Sequence, residues 1–391
     1  MSAAPRSLAP FGALGFAYFA SIGLFNPYAP LWFQSLGMST LAIGTVASLQ
    51  AWTRVVMPYG WSWLGDHWAH GARRITLLRL AAWLALAAAA LLPFTREPVP
   101  VTAAVVLVFM ANSAIVPLSE ASLAQHLRQG DGLDVGRYGR VRLWGSMGFI
   151  VSVVLFGALL QRVGIQALPL ATVLMFALLV VAAARVPSAQ ALAATERSAP
   201  DGGIRAVLRR REVAWFFAGC FFTVLAHTAL YVFFSLYLVS LGYGKGAVGL
   251  MWAVSVAAEI LFFWRQGRWF ARWDAHTWLV IAALVSVLRF AGLALFAGSW
   301  PALVALQLLH AVTFAAHHAA CISVVDRHFR GPMRGRGQAL YTTLGYGISG
   351  VAGGVLGGAV AERAGYPAVF AAAAAVALLG AYCCWRSLRS R

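Results

Sequence analysis

Five side chains in this sequence can carry charge or a proton yet lie inside long apolar runs: Arg54, Glu259, Arg289, His310 and His317. In a bilayer each would cost about 2.5–3.5 kcal/mol on insertion scales, so each needs a partner or a task. A buried carboxyl favours its neutral form, and an approaching arginine reverses that preference. Glu259 with Arg289 nearby therefore has the chemistry of a reversible proton carrier. A permanent Glu259–Arg289 ion pair is the structural alternative. His310 and His317 are seven residues apart, about two helical turns, and should share a face from which His318 points roughly 100° away. Each histidine could equally be an interhelical hydrogen-bond contact.

A second pair, Glu120 and Arg142, is expected near the ends of neighbouring helices, as a gating or structural ion pair. Asn26-Pro27 and Pro30 should interrupt the first helix and free backbone groups for a cavity. Asn26, Tyr28, Trp52, Arg54, Tyr231 and Trp252 are candidate substrate contacts, Arg54 for a negative group and the aromatics for stacking. Aromatic belts at the membrane surface are the bland reading of those rings. Cys220, Cys321, Cys383 and Cys384 show no zinc-ligand spacing and read as buried thiols. No metal, cofactor or Walker loop is expected. Gly347-Ile348-Ser349-Gly350 offers the weak possibility of an intramembrane serine enzyme, but a glycine packing face explains it better.

The elements that must position these groups follow from composition. Of 391 residues, 61% are hydrophobic and only 11% charged; a soluble domain carries about 25% charged residues. Bilayer hydrocarbon removes that contradiction. The net charge of +18 would suggest nucleic acid, but the charge lies in short runs between apolar segments, with no polar domain to present a binding patch. Spans of roughly 20 residues are predicted at 11–33, 41–64, 75–95, 99–122, 140–161, 166–186, 213–240, 246–264, 276–298, 301–325, 338–361 and 366–386. The expected fold is all-α and integral to the membrane: twelve helices in two pseudo-symmetric six-helix bundles, 1–186 and 213–391, joined by a cytoplasmic linker at 187–212.

Arginine placement sets the orientation. With the N-terminus in the cytoplasm, the outer connections carry only Arg96, Arg162, Lys245 and Arg363, and both termini are cytoplasmic. A retained first helix is expected rather than a cleaved signal. The halves also repeat. Shifted by 205, Leu31-Trp32-Phe33-Gln34-Ser35-Leu36-Gly37 overlays Leu236-Tyr237-Leu238-Val239-Ser240-Leu241-Gly242, and Gly44 overlays Gly249. The same shift carries Arg54 onto Glu259, so a base and an acid hold equivalent places and are expected to face a common cavity. Such duplication is expected of secondary transporters that work around a midplane site. The seven glycines from Gly345 to Gly358 predict close backbone packing of the eleventh span.

Gly65-Asp66 followed by Gly71 and the Arg73-Arg74 pair resembles, in degenerate form, the cytoplasmic signature loop of the major facilitator superfamily, which makes Asp66 a gating candidate. Tyr138-Gly139-Arg140-Val141-Arg142-Leu143-Trp144-Gly145-Ser146 resembles the phenylpropionate permease family of that superfamily. Ala257-Ala258-Glu259, Leu288-Arg289-Phe290, Gln307-Leu308-Leu309-His310 with His318, and Arg54 ten residues after Gly44 extend the resemblance over most of the chain. The resemblance implies twelve helices and uptake of a small aromatic carboxylate with protons, by a monomer in the bacterial cytoplasmic (inner) membrane. The placing of Glu120/Arg142 and of Glu259, Arg289 and a tenth-span histidine is more distantly similar to the lactose permeases. Those have an acidic residue soon after that histidine, whereas this chain has none before Asp326. The missing Gly-Pro pair in the fifth span favours uptake over proton-linked export, and a sugar or nucleoside is the alternative solute.

Overall fold

A computed structural model describes residues 8–68, 73–129, 132–133, 135–187 and 202–390. They are almost entirely helical. The first half holds α1 (Ala9–Ser35), α2 (Thr40–Trp68), α3 (Arg73–Ala89), α4 (Pro98–Asn112), α5 (Ile115–Leu127), α6 (Val135–Val163) and α7 (Leu168–Ala184). The second holds α8 (Gly202–Leu208), α9 (Arg211–Ser240), α10 (Lys245–Phe270), α11 (Ala275–Phe296), α12 (Trp300–Leu308), α13 (His317–His328), α14 (Arg334–Leu340) and α15 (Ser349–Arg389). A two-residue antiparallel pair, Arg128–Gln129 with Gly132–Leu133, is the only strand pairing among the described residues.

Ten segments among the described residues are long and apolar enough to cross a membrane, against twelve predicted. The difference has two sources. Thr40–Trp68 is 29 residues long, but its Thr, Ser, Gln, Trp and Arg54 side chains lower its hydropathy. Arg334–Arg389 is one segment of 56 residues, yet Gly365 at φ 79°, ψ 173° breaks it within the turn predicted at 362–365. Outward apolar side chains such as Leu174, Leu288 and Leu295 are 58%, 62% and 73% exposed. A water-soluble surface rarely tolerates apolar exposure on this scale, whereas lipid accepts it.

The internal repeat is visible in the backbone. Gly37 (φ 80°) and Gly242 (φ 87°), 205 residues apart, end α1 and α9 in the left-handed region where a Cβ would be strained. The next helices begin at Thr40 and Lys245, at the same offset. Pro27 and Pro30 do not interrupt α1, contrary to expectation. Its neighbour α6 supports that stretch: the Tyr28 hydroxyl donates to the Val153 carbonyl at 2.7 Å, and the Ser152 hydroxyl to the Ala20 carbonyl at 2.6 Å. Gly23 and Gly148 bring the two backbones together. A Cβ on Gly148 would stand 2.2 Å from the Phe16 carbonyl oxygen.

The described residues form two compact units, one within Met1–Gly37 and Thr53–Ala194, the other within Met38–Trp52 and Thr195–Arg391. In the first, Leu78, Ala82 and Ala85 of α3 pack with Val108, Ile115 and Leu179. Arg79 closes the end of α7 by donating to the carbonyls of Ala184 and Val186, both at 3.0 Å. In the second, Val213 and Phe216 of α9 pack with Leu279, Ala320 and Val324.

The second unit also contains a close approach of two helix backbones. A Cβ on Gly44 would lie 2.1 Å from the Gly354 carbonyl oxygen, and one on Gly358 2.8 Å from that of Thr40. The Ser48 hydroxyl donates to the Val351 carbonyl at 2.7 Å across the same contact. The predicted packing role of the eleventh-span glycines is thus met by α2. Gly44→Ala should cost about 1–3 kcal/mol by forcing two backbones apart. Gly60→Ala, on the same helix with nothing within 4 Å of the added carbon, should be neutral or gain about 0.5–1 kcal/mol. Thermal unfolding of the two variants in detergent checks the contrast.

Candidate functional site

Four helical segments of the second unit bring polar groups into one apolar interior. Arg289 of α11 is fully buried. Its Nη1 donates to Thr313 Oγ1 at 3.0 Å and stands 2.6 Å from His310 Nδ1; its Nη2 donates to Gln307 Oε1 at 2.9 Å. Gln307 Oε1 also accepts from Ser255 of α10 at 2.8 Å. His310 Nε2 lies 2.7 Å from Glu259 Oε1.

Donor and acceptor chemistry fixes the protons. A guanidinium can only donate, so His310 Nδ1 accepts. The imidazole then carries its hydrogen on Nε2, which points at the carboxyl group, and Glu259 Oε1 accepts. The result is a directed chain from Arg289 through His310 to Glu259. The direct Glu259–Arg289 ion pair offered by the sequence is replaced by one relayed through an imidazole. The carboxyl and guanidinium groups are thereby held in the same unit without touching.

The surrounding shell is aromatic. Tyr231 and Trp252 stack with ring centroids 6.4 Å apart and planes 17° from parallel, and Phe234 meets Trp252 edge-on at 5.9 Å. His227 packs edge-on against Phe290 at 5.0 Å, and its Nδ1–H donates to the Thr223 carbonyl at 2.8 Å. Its Nε2 is buried with no hydrogen-bond partner among the described residues, as are Arg289 Nε and Gln307 Nε2. The two predicted aromatic contacts Tyr231 and Trp252 therefore belong beside the predicted acid–base groups.

His317 does not join them. Between α12 and α13, Ala311–Ala316 is wound as a π-helix, whose wider turns shift the register of everything that follows. His310, Phe314 and His318 now form a stacked column, at 5.2 Å and 6.2 Å. The shared face predicted for His310 and His317 is corrected accordingly: His318 takes that face. His318 Nδ1 in turn lies 3.1 Å from the Tyr341 hydroxyl, at the start of a second π-helical stretch, Tyr341–Ile348. His317 instead meets Cys321, with Nε2 3.6 Å from Sγ, and Cys321 Sγ is 3.3 Å from Cys220 Sγ. The three form a buried set able to hold a soft metal ion, although spacing alone gave no such indication. The Ser349 hydroxyl is buried and spent on the Gly345 carbonyl.

The remaining candidates lie elsewhere. Tyr28 is buried and its hydroxyl is engaged with α6. Asn26 is half-buried in α1, Arg54 is exposed on α2, and Trp52 is 50% exposed. Arg54 and Glu259 fall in different units. Glu120 and Arg142 do pair, Oε1 to Nη1 at 2.7 Å. With Tyr18 and Tyr138 they line a cavity of about 60 Å³ in the first unit. The Asp66 side chain and the loop at 69–72 lie outside the described residues, as does 188–201 of the linker. Asp326 makes a two-pronged ion pair with Arg334, at 2.9 and 2.8 Å, at the end of α13.

Gln307, Ser255 and Thr313 were not singled out as site residues. The available signal was spacing: Gln307, His310 and Thr313 recur every three residues on an otherwise apolar helix, which places them near one another.

Apolar helices with two glycine-marked repeats and an acid–base chain in their interior are the features of a multi-pass membrane protein built to carry a solute. The sequence profile of the MFS_1 like family matches residues 11–372, and the chain belongs to that family of major facilitator transporters. It is 29% identical over 339 residues to the probable 3-phenylpropionic acid transporter of Escherichia coli (strain K12), covering 86% of this chain and 87% of that one. It is 28% identical over 281 residues to the maltose permease of Geobacillus stearothermophilus, covering 70% and 68%. Among solved structures it is similar to the nucleoside transporter NupG, with a TM-score of 0.84, 17% identity, and 97% and 98% of the two chains covered.

Proposed function

We propose that this transporter takes up a small organic anion of the aryl-carboxylate class together with protons, by alternating access. In this reading α2 and both parts of Arg334–Arg389 cross the bilayer, giving twelve crossings in the cytoplasmic membrane with both termini inside. The single observation that carries it is the Arg289–His310–Glu259 chain. While Glu259 is a carboxylate, the charge of Arg289 is compensated within the unit. When Glu259 gains a proton, the guanidinium is left without a counter-charge in a medium of low dielectric, which is costly. A substrate carboxylate restores neutrality, so proton and anion favour each other's binding, and by linkage the coupling is reciprocal. Tyr231 and Trp252 supply rings on which an aryl group can stack. Arg54, exposed on α2, is the second cation proposed to receive the anion, and the aryl-acid class is supported by the 29% identical relative. Glu120 and Arg142 serve as a structural or gating pair.

The test is uptake of labelled 3-phenylpropionate into energised membrane vesicles at two external pH values. Accumulation should rise as the outside is acidified and collapse with a protonophore. Accumulation that is insensitive to both would overturn proton coupling. Uptake of maltose or a nucleoside with no response to the aryl acid would overturn the substrate class.

A further inference from the structure

Away from that relay, three helix ends meet at a group that transport of an anion does not use. Glu212 lies in the first turn of α9, His276 in the first turn of α11, and His328 is the last residue of α13. Both imidazoles address the same carboxyl oxygen: His276 Nε2 and His328 Nε2 each stand 3.3 Å from Glu212 Oε1. All three ligand atoms lie within 4.8 Å of one another. The side chains are 1%, 7% and 15% exposed for His276, His328 and Glu212.

The distances are those of neighbouring ligands in a coordination sphere. A charge-assisted N–H···O⁻ contact closes to about 2.7–2.9 Å. The same chain does this elsewhere, between His310 and Glu259, at 2.7 Å. Around Glu212 two nitrogens stop at 3.3 Å. Ligands bound to zinc at about 2.0–2.1 Å in a tetrahedron stand about 3.3–3.4 Å apart. Right-angled positions of an octahedral ion with similar bonds stand nearer 3 Å apart.

We propose that Glu212, His276 and His328 form a divalent transition-metal site that pins together the ends of α9, α11 and α13. Two neutral imidazoles and one carboxylate are a zinc-type ligand set with a fourth position left for water. Arg210, Arg211 and Arg327 neighbour the ligands in the chain, so the single carboxylate is what offsets the local positive charge for an incoming dication. The three ligands come from three different helices, and binding therefore stabilises their mutual packing by mass action.

The test uses the full chain in detergent, without a polyhistidine tag, stripped with chelator and titrated with Co²⁺ and then Zn²⁺. Expected are the visible bands of tetrahedral Co²⁺ at one equivalent, no thiolate charge-transfer band, displacement by Zn²⁺, and a thermal midpoint that rises with Zn²⁺. Glu212→Gln and His328→Gln should each abolish the visible bands. The wild-type spectrum stands by itself if a variant fails to fold. Wild-type protein with no tetrahedral Co²⁺ spectrum overturns the proposal. So does a thiolate band that survives His328→Gln, which would assign the metal to Cys220, His317 and Cys321.

Discussion

Glu259→Gln should abolish accumulation of substrate against its gradient while leaving exchange of labelled for unlabelled substrate in place. The amide is close in shape to the protonated acid, and its oxygen can still accept from His310 Nε2, now 2.7 Å from Glu259 Oε1. What it cannot do is release and regain a proton. Arg289 is then permanently without a carboxylate in its unit, so the carrier is held in the state proposed to bind the anion. Exchange needs only that loaded state, whereas net uptake needs return of the empty carrier and therefore deprotonation. The two assays on one vesicle preparation separate these steps. A variant that still concentrates substrate would remove Glu259 from the coupling role; one that loses exchange as well would make it a structural or binding residue.

The second large effect is on stability. Arg289→Met should destabilise the protein by about 3–5 kcal/mol, the cost of removing one member of a buried charged network. Arg289 is fully buried and serves His310, Thr313 and Gln307 at once. Without it Gln307 Oε1 keeps only Ser255, and Glu259 loses the cation relayed to it through His310. Part of the loss should therefore be recovered by adding Glu259→Gln. Residues in one network are expected to be non-additive by about 0.5–3 kcal/mol. Equilibrium unfolding of wild type, both single variants and the double variant closes the cycle. Strict additivity would mean that the relay through His310 carries no energetic coupling. Arg289→Lys should not rescue fully, because a compact ammonium cannot span the same acceptors as a planar fork.

The ionisable groups of this site were legible because bilayer insertion makes each one conspicuous: Glu259, Arg289 and His310 stand alone in apolar runs. The repeat was legible too, and Gly37 and Gly242 carry it into the backbone with matching left-handed turns. What periodicity could not supply was any departure from the α-helix. The reading of His317 assumed regular turns through 311–316, and the π winding there sends that side chain to Cys321 instead. Contacts between distant helices were equally out of reach. Nothing in the spacing of Cys220 and Cys321, or of Glu212, His276 and His328, signals that they converge, since their meeting depends on how α9, α11 and α13 pack. Asn26-Pro27 misled for a related reason: proline's local effect was read without the neighbouring helix that steadies the turn.

The π-helical stretch at Ala311–Ala316 has a consequence for how this segment tolerates change. An α-helix advances about 100° per residue, so residues seven apart share a face; losing one residue from the wide turn would close it into a regular helix and leave His318 on the face of His310. Substitutions within Ala311–Ala316 leave the count intact, while a single deletion in the regular turns beside it would rotate every contact on the C-terminal side by about 100°. The segment works as a crankshaft with two throws, one serving the Arg289 relay and the other the thiol cluster. Its integrity is a matter of counting, and the wide turn is where the segment absorbs the loss of one residue most readily.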